Sequence, residues 1–374
     1  MHKISYATAL ALLLSGNAQA TEFQTEKVRV SAQIVATGLS NPWGMDFMPD
    51  GRMIVTERTG SMKIVDKDGK ATSVKNVPKV FARGQGGLLD VALAQDFAQS
   101  GLVYMTYSEP QQGGSGTALA RATLVQEGND FALRDPKVLL RSSKPGQTTR
   151  HYGSRIVLAP DGSIFVTTGD RGEAERAQDM FDESGAVLRV NQDGSIPAGN
   201  PYEDGAKGAP SIWSKGHRNI QGATFDSVTN GLLTIEHGAK GGDELNRPEA
   251  GKNYGWPVIS YGVDYSGAKI GKGSEAQGYE QPVYYWDPSI APSGLVSYSG
   301  DEFPEWRGDL LLGSLKFGLL VRLDRDESGE IVSEERILDN AFGRIRDVGV
   351  APDGSIFLLT DESDGALIRI TRAD

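Results

Sequence analysis

Two stretches of the chain share their first seven residues: APDGSIFVTTGD at 159–170 and APDGSIFLLTDE at 351–362. A third stretch, MPDGRMIVTER at 48–58, follows the same plan. In each one a proline presets φ, an aspartate bonds to its own backbone and a glycine accepts positive φ, which predicts a tight turn. A short run of β-forming residues follows every turn. The repeated unit is therefore predicted to be a β-hairpin.

Similar turn signals recur along the chain, as DKDGK at 66–70 and NQDGS at 191–195, and the chain has 47 glycines. A helical pattern of one or two turns is confined to 173–182. Many short strands with regular turns indicate an all-β fold, and blades of roughly 50 to 60 residues predict a six-bladed β-propeller. A two-sheet sandwich is the alternative, but sandwiches usually close in fewer residues. We expect a strand at 28–35 to pair with one at 367–370 and close the ring.

The chain begins with a short basic start, an apolar stretch and the small-residue sequence NAQA. This order is typical of a secretory signal peptide, predicted here as residues 1–20 with cleavage after Ala20. A membrane anchor is the alternative, but the apolar run is too short to span a bilayer. We therefore expect a periplasmic protein whose residues 21–374 form one propeller domain.

Composition limits the partners that the protein can have. There are 49 acidic against 38 basic residues, a formal net charge of −11, and no cysteine. An acidic surface repels nucleic acid and anionic membranes, so neither is expected as a partner. An exported chain without disulfides depends on its core or on bound ions for stability. The motifs of serine hydrolases, P-loop NTPases and nicotinamide-binding folds are absent.

Several cations lie in glycine-punctuated loops. Arg218 and Asn219 lie in GHRNIQG, Lys316 lies in GSLKFG, and Arg344 and Arg346 lie in GRIRD. The last two alternate on a strand, so both guanidinium groups point the same way, which is unfavourable unless an anion lies between them. Each cation alone could be an ordinary solvated side chain. Together, in an acidic protein, they indicate a bound polyanion.

Chemistry at neutral pH is most often performed by histidine. Besides His2 in the predicted leader, the chain has His151, His217 and His237, all in loops rich in glycine and charge. His151 comes just before the strand and turn of the first repeated stretch, where a loop can face the propeller axis. Any one of the three could equally be a surface residue.

The densest cluster of polar residues is EHGAKGGDELNRPEAGKNYGWP at 236–257. Asp243 and Glu244 offer carboxylate oxygens, and the glycines allow backbone carbonyls to turn inward, a combination suited to Ca²⁺. The spacing is not that of an EF-hand. A structural turn with surface acids is the alternative.

These motifs, in this order, resemble those of the soluble quinoprotein sugar dehydrogenases, in particular the bacterial aldose sugar dehydrogenases. The likeness runs over most of the chain and includes GQGGLLDVAL, HYGSRIVLAPDG, GHRNIQG, GGDELN, GKNYGWP, GSLKFG and GRIRDV. The resemblance implies a six-bladed propeller that binds pyrroloquinoline quinone (PQQ) and Ca²⁺ over its central channel and oxidises aldoses at C1 to lactones. A tricarboxylate such as PQQ would account for cations in an acidic protein.

The resemblance also implies a role for individual residues. His151 would be the general base that takes the proton of the anomeric hydroxyl, and Arg218 would stabilise charge on the quinone oxygens. One Ca²⁺ would be held by the carbonyls of Gly238 and Ala239, and a second by Glu244, Tyr254 and Asp264. The residues implied in cofactor binding are Gln85, Arg218, Asn219, Tyr261, Tyr265, Lys316, Arg344 and Arg346.

Two other functions fit a propeller. A Ca²⁺-dependent lactonase would use acidic and asparagine ligands at the axis but has no use for the cations. A non-catalytic propeller that binds glycans or proteins would make His151 and the arginine pair incidental. The sequence leaves open the electron acceptor and whether the protein is a monomer or a homodimer.

Overall fold

Short strands account for nearly all of the regular structure in a computed structural model of the protein, which describes residues 20–373. The strands are β1 (Thr21–Gln24), β2 (Arg29–Leu39), β3 (Pro42–Phe47), β4 (Met53–Glu57), β5 (Ser61–Val65), β6 (Ala71–Lys75), β7 (Leu88–Leu93), β8 (Leu102–Gln111), β9 (Gly114–Glu127), β10 (Asp130–Arg141), β11 (Ile156–Leu158), β12 (Ser163–Thr167), β13 (Ala186–Asn191), β14 (Ile212–Lys215), β15 (Ile220–Asp226), β16 (Gly231–Glu236), β17 (Asp243–Asn246), β18 (Tyr284–Trp286), β19 (Pro292–Ser297), β20 (Leu310–Ser314), β21 (Leu320–Arg325), β22 (Ile331–Ile337), β23 (Ile345–Val350), β24 (Ile356–Thr360) and β25 (Gly365–Arg372).

The strands form five sheets, so the predicted all-β class is confirmed and the two-sheet alternative is wrong. Three sheets have four strands each, in the orders β11 to β14, β15 to β18 and β19 to β22. An eight-stranded sheet joins β3 to β6 with β7 to β10 through a parallel β6–β10 pairing. The three predicted hairpins are present as β3–β4, β11–β12 and β23–β24.

The first strands of successive runs lie side by side around an axis. In turn β3, β7, β11, β15, β19 and β23 contact one another, and β23 contacts β3. Carboxylates bridge several of these neighbours, because Asp46, Asp90 and Asp347 accept the backbone N–H groups of Leu93, Ile156 and Met45 at 2.7, 2.8 and 3.1 Å. The arrangement is of the propeller type, with carboxylates linking inner strands that share no hydrogen-bond ladder.

One buried arginine joins most of this ring. The Arg155 guanidinium, next to β11, lies 3.1 Å from Asp90 on β7 and 2.8 Å from Asp347 on β23. It also donates to Gln221 O on β15 at 2.7 Å, and its centre lies 4.3 Å from the Trp43 ring on β3. Arg155 therefore contacts four inner strands besides the one that it precedes.

The chain ends meet in one sheet. β2 pairs antiparallel with β25, with Ala32 opposite Ile370 and Ile34 opposite Ile368. This confirms the predicted pairing of 28–35 with 367–370. The last sheet is thus completed by a strand from the other end of the chain.

Helical structure within residues 20–373 is limited to α1 (Phe97–Ser100) and two 3₁₀ turns, Ala174–Gln178 and Pro304–Trp306. The first 3₁₀ turn confirms the short helix predicted in 173–182. None of the helices in the described part is long and apolar enough to cross a membrane. The predicted signal peptide lies outside the described residues except for Ala20.

Candidate active site

The second strands of the repeated hairpins end at or near one cavity. The strands β4 and β24 are followed directly by Arg58 and Asp361, and both side chains line one cavity. Three residues beyond β12, Asp170 binds the side chain of His151 at 2.6 Å. Each copy of the turn therefore begins a strand that carries a charged group to, or close to, this cavity.

The cavity has a volume of about 510 Å³, within the range of small-molecule sites, roughly 300 to 1,000 Å³. Its charged wall residues are four cations and one carboxylate: Arg58, Lys316, Arg344, Arg346 and Asp361. The wall therefore carries three more positive than negative charges. In a chain of net negative charge, this local excess favours an anionic ligand.

The predicted arginine pair shares one carboxylate. Asp361 Oδ2 lies 3.2 Å from Arg344 and 2.8 Å from Arg346. Burial opposes ionisation of this carboxyl, but Arg346 and then Arg344 hold its pKa at about 2. The anion expected between the two arginines is thus supplied in part by the protein. Because one carboxylate faces two guanidinium groups, one positive charge remains, and the buried Arg346 Nε has no hydrogen-bond partner.

His151 is held in one tautomer beside the cavity wall. Its Nδ1 lies 2.6 Å from Asp170 Oδ1, so the Nδ1–H donates to the carboxylate and Nε2 keeps its lone pair. Burial lowers the pKa of His151 below its usual range, and nearby Arg218 and Arg150 add to this effect, whereas Asp170 opposes it. The imidazole is therefore neutral and able to accept a proton at neutral pH.

The backbone around His151 is strained. His151 has a φ of 56° and Ser154 a φ of 98°, values that residues other than glycine rarely adopt. Gly169 allows the close approach of the neighbouring loop, since a Cβ there would lie 2.5 Å from His151 O. The His151 N–H donates to Gln85 Oε1 at 2.7 Å, and Gln85 lines the cavity. The loop conformation is therefore fixed by the residues around it.

Arg218 and Asn219 lie on the neighbouring loop. Arg218 Nη1 donates to the backbone carbonyl of His237, a cavity residue, at 3.2 Å, and its buried Nε has no partner. Asn219 Oδ1 accepts the N–H of Gly153 and an amide N–H of Gln221, both at 3.2 Å and both from cavity residues. The GHRNIQG motif is thus brought against the same cavity as His151.

Lys316 is the remaining predicted cation. Its Nζ donates to Ser289 O at 3.0 Å and lies 4.8 Å from the Phe317 ring. Lysine has three donors, so further hydrogen bonds remain available to a ligand. The structure thus brings Gln85, Lys316, Arg344 and Arg346 into the cavity wall.

Two predicted cofactor contacts are not part of this wall. The Tyr261 ring stacks on Tyr285 at 4.1 Å, and its hydroxyl donates to Gln281 at 2.7 Å. Tyr265 is 69% exposed. Neither tyrosine is among the residues that line the cavity.

The predicted metal ligands fall into two sets. Gly238 and Ala239 follow the cavity residue His237, and a Cβ on Gly238 would come within 2.2 Å of Gly241 O and 2.3 Å of Gly242 O. The turn is therefore crowded with carbonyl oxygens, the ligands that Ca²⁺ prefers. Gly238 N–H donates to Asp243 Oδ1 at 2.9 Å, which fixes the turn.

The residues of the second set bind other parts of the protein, and a metal site there stays a prediction. The Tyr254 hydroxyl donates to Arg247 O, Asp264 accepts the Ser266 N–H at 2.9 Å, and Glu244 accepts from Asn246 at 3.1 Å. Burial, and then the neighbouring Glu236, raises the pKa of Glu244 to about 8. Across residues 20–373 no three His, Asp or Glu side chains are grouped to hold a metal ion.

Several site residues were missed by the sequence analysis. Arg58 and Asp361 occupy the same position of their hairpins, seven residues after the turn glycine, so an alignment of the repeats would have found both. Asp170 ends the first quoted stretch, but its partner His151 could not be read from it. Trp256 lies in the quoted motif GKNYGWP, which gives no sign of its contact with Asp170.

Comparison with known proteins agrees with this site. Residues 39–369 match the family described as Glucose / Sorbosone dehydrogenase. Aldose sugar dehydrogenase YliI of Escherichia coli is 39% identical over 350 residues, which cover 91% of this chain and 93% of that protein. Quinoprotein glucose dehydrogenase B of Acinetobacter calcoaceticus is 27% identical over 411 residues, covering 88% and 85%.

Solved structures show the same likeness. The soluble aldose sugar dehydrogenase of Escherichia coli in its apo form has a TM-score of 0.88 at 38% identity, covering 92% of this chain and all of that one. The PQQ-bound aldose sugar dehydrogenase of Streptomyces coelicolor has a TM-score of 0.76 at 27% identity, covering 91% and 98%. The family match spans most of the chain, so the resemblance inferred from the motifs is confirmed: the chain belongs to the Glucose / Sorbosone dehydrogenase family.

Proposed function

We propose that this protein is a PQQ-dependent aldose sugar dehydrogenase that oxidises its substrate at C1 to the lactone. The observation that carries the proposal is a neutral His151, oriented by Asp170, beside a cavity with an excess of three positive charges. A proton acceptor and an anion-binding wall are the two parts that such a reaction requires of the protein. The names of its relatives support the same class of substrate.

The residues present fit PQQ, which carries three carboxylates. The excess charge of the wall matches them in number, and the buried Nε atoms of Arg218 and Arg346 have no protein partner. Gln85, Asn219, Lys316 and Arg344 would complete the set that holds the cofactor. When bound, PQQ supplies the two-electron acceptor that takes the hydride of the sugar C1. Tyr261 and Tyr265 are kept as proposed outer contacts.

His151 would accept the proton of the C1 hydroxyl at Nε2. The ionised Asp170 stabilises the imidazolium that forms and prevents the ring from turning. Arg218 would donate to an oxygen that gains negative charge, and a hydrogen bond to His237 O, a cavity residue, supports this role. The side chains are thus arranged before the substrate arrives.

A Ca²⁺ ion would be held by the carbonyls of Gly238 and Ala239, where the turn is rich in oxygen. It would polarise a carbonyl at the cofactor. A second Ca²⁺ at Glu244, Tyr254 and Asp264 is proposed from the resemblance alone, since each of these side chains has a protein partner in the structure.

The finer features of the protein are proposed on the same basis. The cycle of six inner strands supports six blades in a single propeller domain at 21–374, with two of the blades sharing a sheet through β6 and β10. We also propose that residues 1–20 are a signal peptide and that the protein is exported to the periplasm.

The experiment that tests the function is an absorbance titration of the purified protein with PQQ in the presence of Ca²⁺. Reduction of an artificial dye is then followed after addition of glucose and other aldoses. Saturable PQQ uptake with aldose-dependent dye reduction is the expected result. Lactone hydrolysis without PQQ would instead support a lactonase, and the absence of both activities would support a binding module.

Replacement of the arginine pair by alanine, Arg344→Ala with Arg346→Ala, is expected to weaken PQQ uptake. The double variant leaves Asp361 without its cations and lowers the excess positive charge of the wall from three to one. A loss of one to two powers of ten in affinity is expected for two charge-assisted contacts. Arg369→Ala is the control, because Arg369 also pairs with an aspartate, Asp353, but lies outside the cavity wall. Unchanged affinity in the double variant would place the cofactor elsewhere.

A further inference from the structure

Trp256 contacts Asp170 and Arg218, two of the charged residues that act on His151. Its indole Nε1–H donates to Asp170 Oδ2 at 2.8 Å, while His151 occupies Oδ1 of the same carboxylate. The Arg218 guanidinium lies over the Trp256 ring, 5.2 Å from its centre. A single side chain thus joins the support of the proton acceptor to the cation beside it.

We propose that Trp256 is a positioning residue that sets the basicity of His151 through Asp170 and fixes Arg218 next to it. The proposal rests on the proposed role of His151 in proton transfer. No contact of Trp256 with sugar or cofactor is required. The indole acts through the two residues that it touches.

The physical argument concerns the charge of the Asp170 carboxylate. Every N–H that donates to it stabilises its ionised form and weakens its attraction for the His151 proton. Gly172 N–H and His151 use Oδ1, and Trp256 uses Oδ2. The charged groups that act on His151 are Asp170, which favours the imidazolium, and Arg218 and Arg150, which oppose it. Trp256 therefore weakens the attraction of Asp170 for the His151 proton. It also holds in place Arg218, which disfavours the imidazolium.

The loop that carries Trp256 is itself anchored. Its backbone N–H donates to Gly216 O at 2.9 Å, and its carbonyl accepts from Gln178 Nε2 at 2.7 Å. Gln178 also exchanges hydrogen bonds with the Asn253 side chain at 2.9 and 3.1 Å. The short 3₁₀ turn Ala174–Gln178 thus serves to hold the indole in place, and such support is required of any group that orients a catalytic side chain.

The first test is an NMR titration of histidine-labelled protein without cofactor. Few histidines are present, and the spectrum of His151→Gln assigns the His151 signal. Trp256→Phe keeps a ring under Arg218 but removes the indole N–H, so the titration midpoint of His151 is expected to rise by roughly half a pH unit, the size of one lost hydrogen bond. An unchanged midpoint would overturn the proposal.

The matched control is Trp213→Phe. Trp213 also donates its indole N–H, to Pro248 O at 3.1 Å, and its ring lies 5.0 Å from the Arg189 guanidinium, so its partners are neither Asp170 nor Arg218. The His151 midpoint should not move in this variant, and an equal movement in both would also overturn the proposal. If Trp256→Phe does not fold, benzothienylalanine at position 256 keeps the shape of indole without its N–H and gives the same test.

The second test uses steady-state kinetics of the loaded enzyme. The acid limb of the kcat profile is expected to move to higher pH in Trp256→Phe. In Trp256→Leu, which also loses the ring under Arg218, kcat at saturating PQQ should fall at least tenfold while KM for the sugar stays nearly constant. A change confined to KM would contradict the positioning role. If wild-type protein oxidises no aldose while the NMR midpoint still moves, the proposed function fails and the Trp256 coupling stands.

Discussion

His151→Gln is expected to retain PQQ uptake and to lose turnover by roughly two to four powers of ten, the usual contribution of general-base catalysis. Glutamine keeps the size and hydrogen-bonding capacity of the side chain but cannot take up a proton near neutral pH. The cofactor contacts proposed for the cavity wall come from other residues, so the affinity for PQQ should not change. Absorbance titration measures the first quantity and dye reduction under saturating sugar the second.

The double arginine variant is expected to affect cofactor affinity more than turnover, the opposite of His151→Gln. Arg344→Ala with Arg346→Ala should weaken cofactor uptake, and its turnover at saturating PQQ should fall far less than that of His151→Gln. Full turnover by His151→Gln would refute the assignment of the base. Loss of PQQ uptake by the same variant would mean that His151 contributes to cofactor binding, contrary to the separation proposed here.

Arg155→Met is expected to lower the free energy of unfolding by about 3 to 5 kcal/mol, the usual result of removing one partner from a buried ion pair. The side chains of Arg155, Asp90 and Asp347 are 5%, 8% and 7% exposed. Methionine keeps the apolar stem but leaves two carboxylates facing each other without a counter-ion. Urea unfolding followed by tryptophan fluorescence measures the change.

Two further variants separate the charge effect from simple loss of packing. Arg369→Met removes an arginine whose ion pair with Asp353 is largely exposed, 41% and 57%, and should change stability little. Adding Asp90→Asn and Asp347→Asn to Arg155→Met should recover part of the loss, because the buried charges are then gone. Equal destabilisation by Arg155→Met and Arg369→Met would show that the buried ion pairs of Arg155 contribute no more to stability than an exposed ion pair.

The parts of the fold that depend on local sequence were predictable. Pro-Asp-Gly turns followed by β-forming residues identified the hairpins whose second strands are Met53–Glu57 and Ile356–Thr360, because turn chemistry acts over only four residues. The pairing of the two chain ends followed from ring closure. The ion pairs of Arg155 did not follow, since its partners Asp90 and Asp347 are 65 or more residues away and an arginine beside a strand has no signature of burial.

The candidate site was predictable in its residue types but not in its pairings. The cations Lys316, Arg344 and Arg346 were recognised from glycine-rich motifs, and the structure places them in one cavity wall. The arginine pair was predicted to require an anion from a ligand, and the sequence analysis overlooked Asp361. The sequence does not show in which direction a side chain just after a strand points. The exposure of Tyr265 could not be predicted either, since a motif position does not show in which direction a side chain points.

The pairing of β2 with β25 has a consequence for how the chain reaches its folded state. Ala32 and Ile370 face each other although more than three hundred residues separate them. The strand β25 must be synthesised before this contact can form, so the ring of sheets stays open until then, and contacts of such long range fold slowly. We therefore expect closure of the ring to be a late step in the folding of the chain.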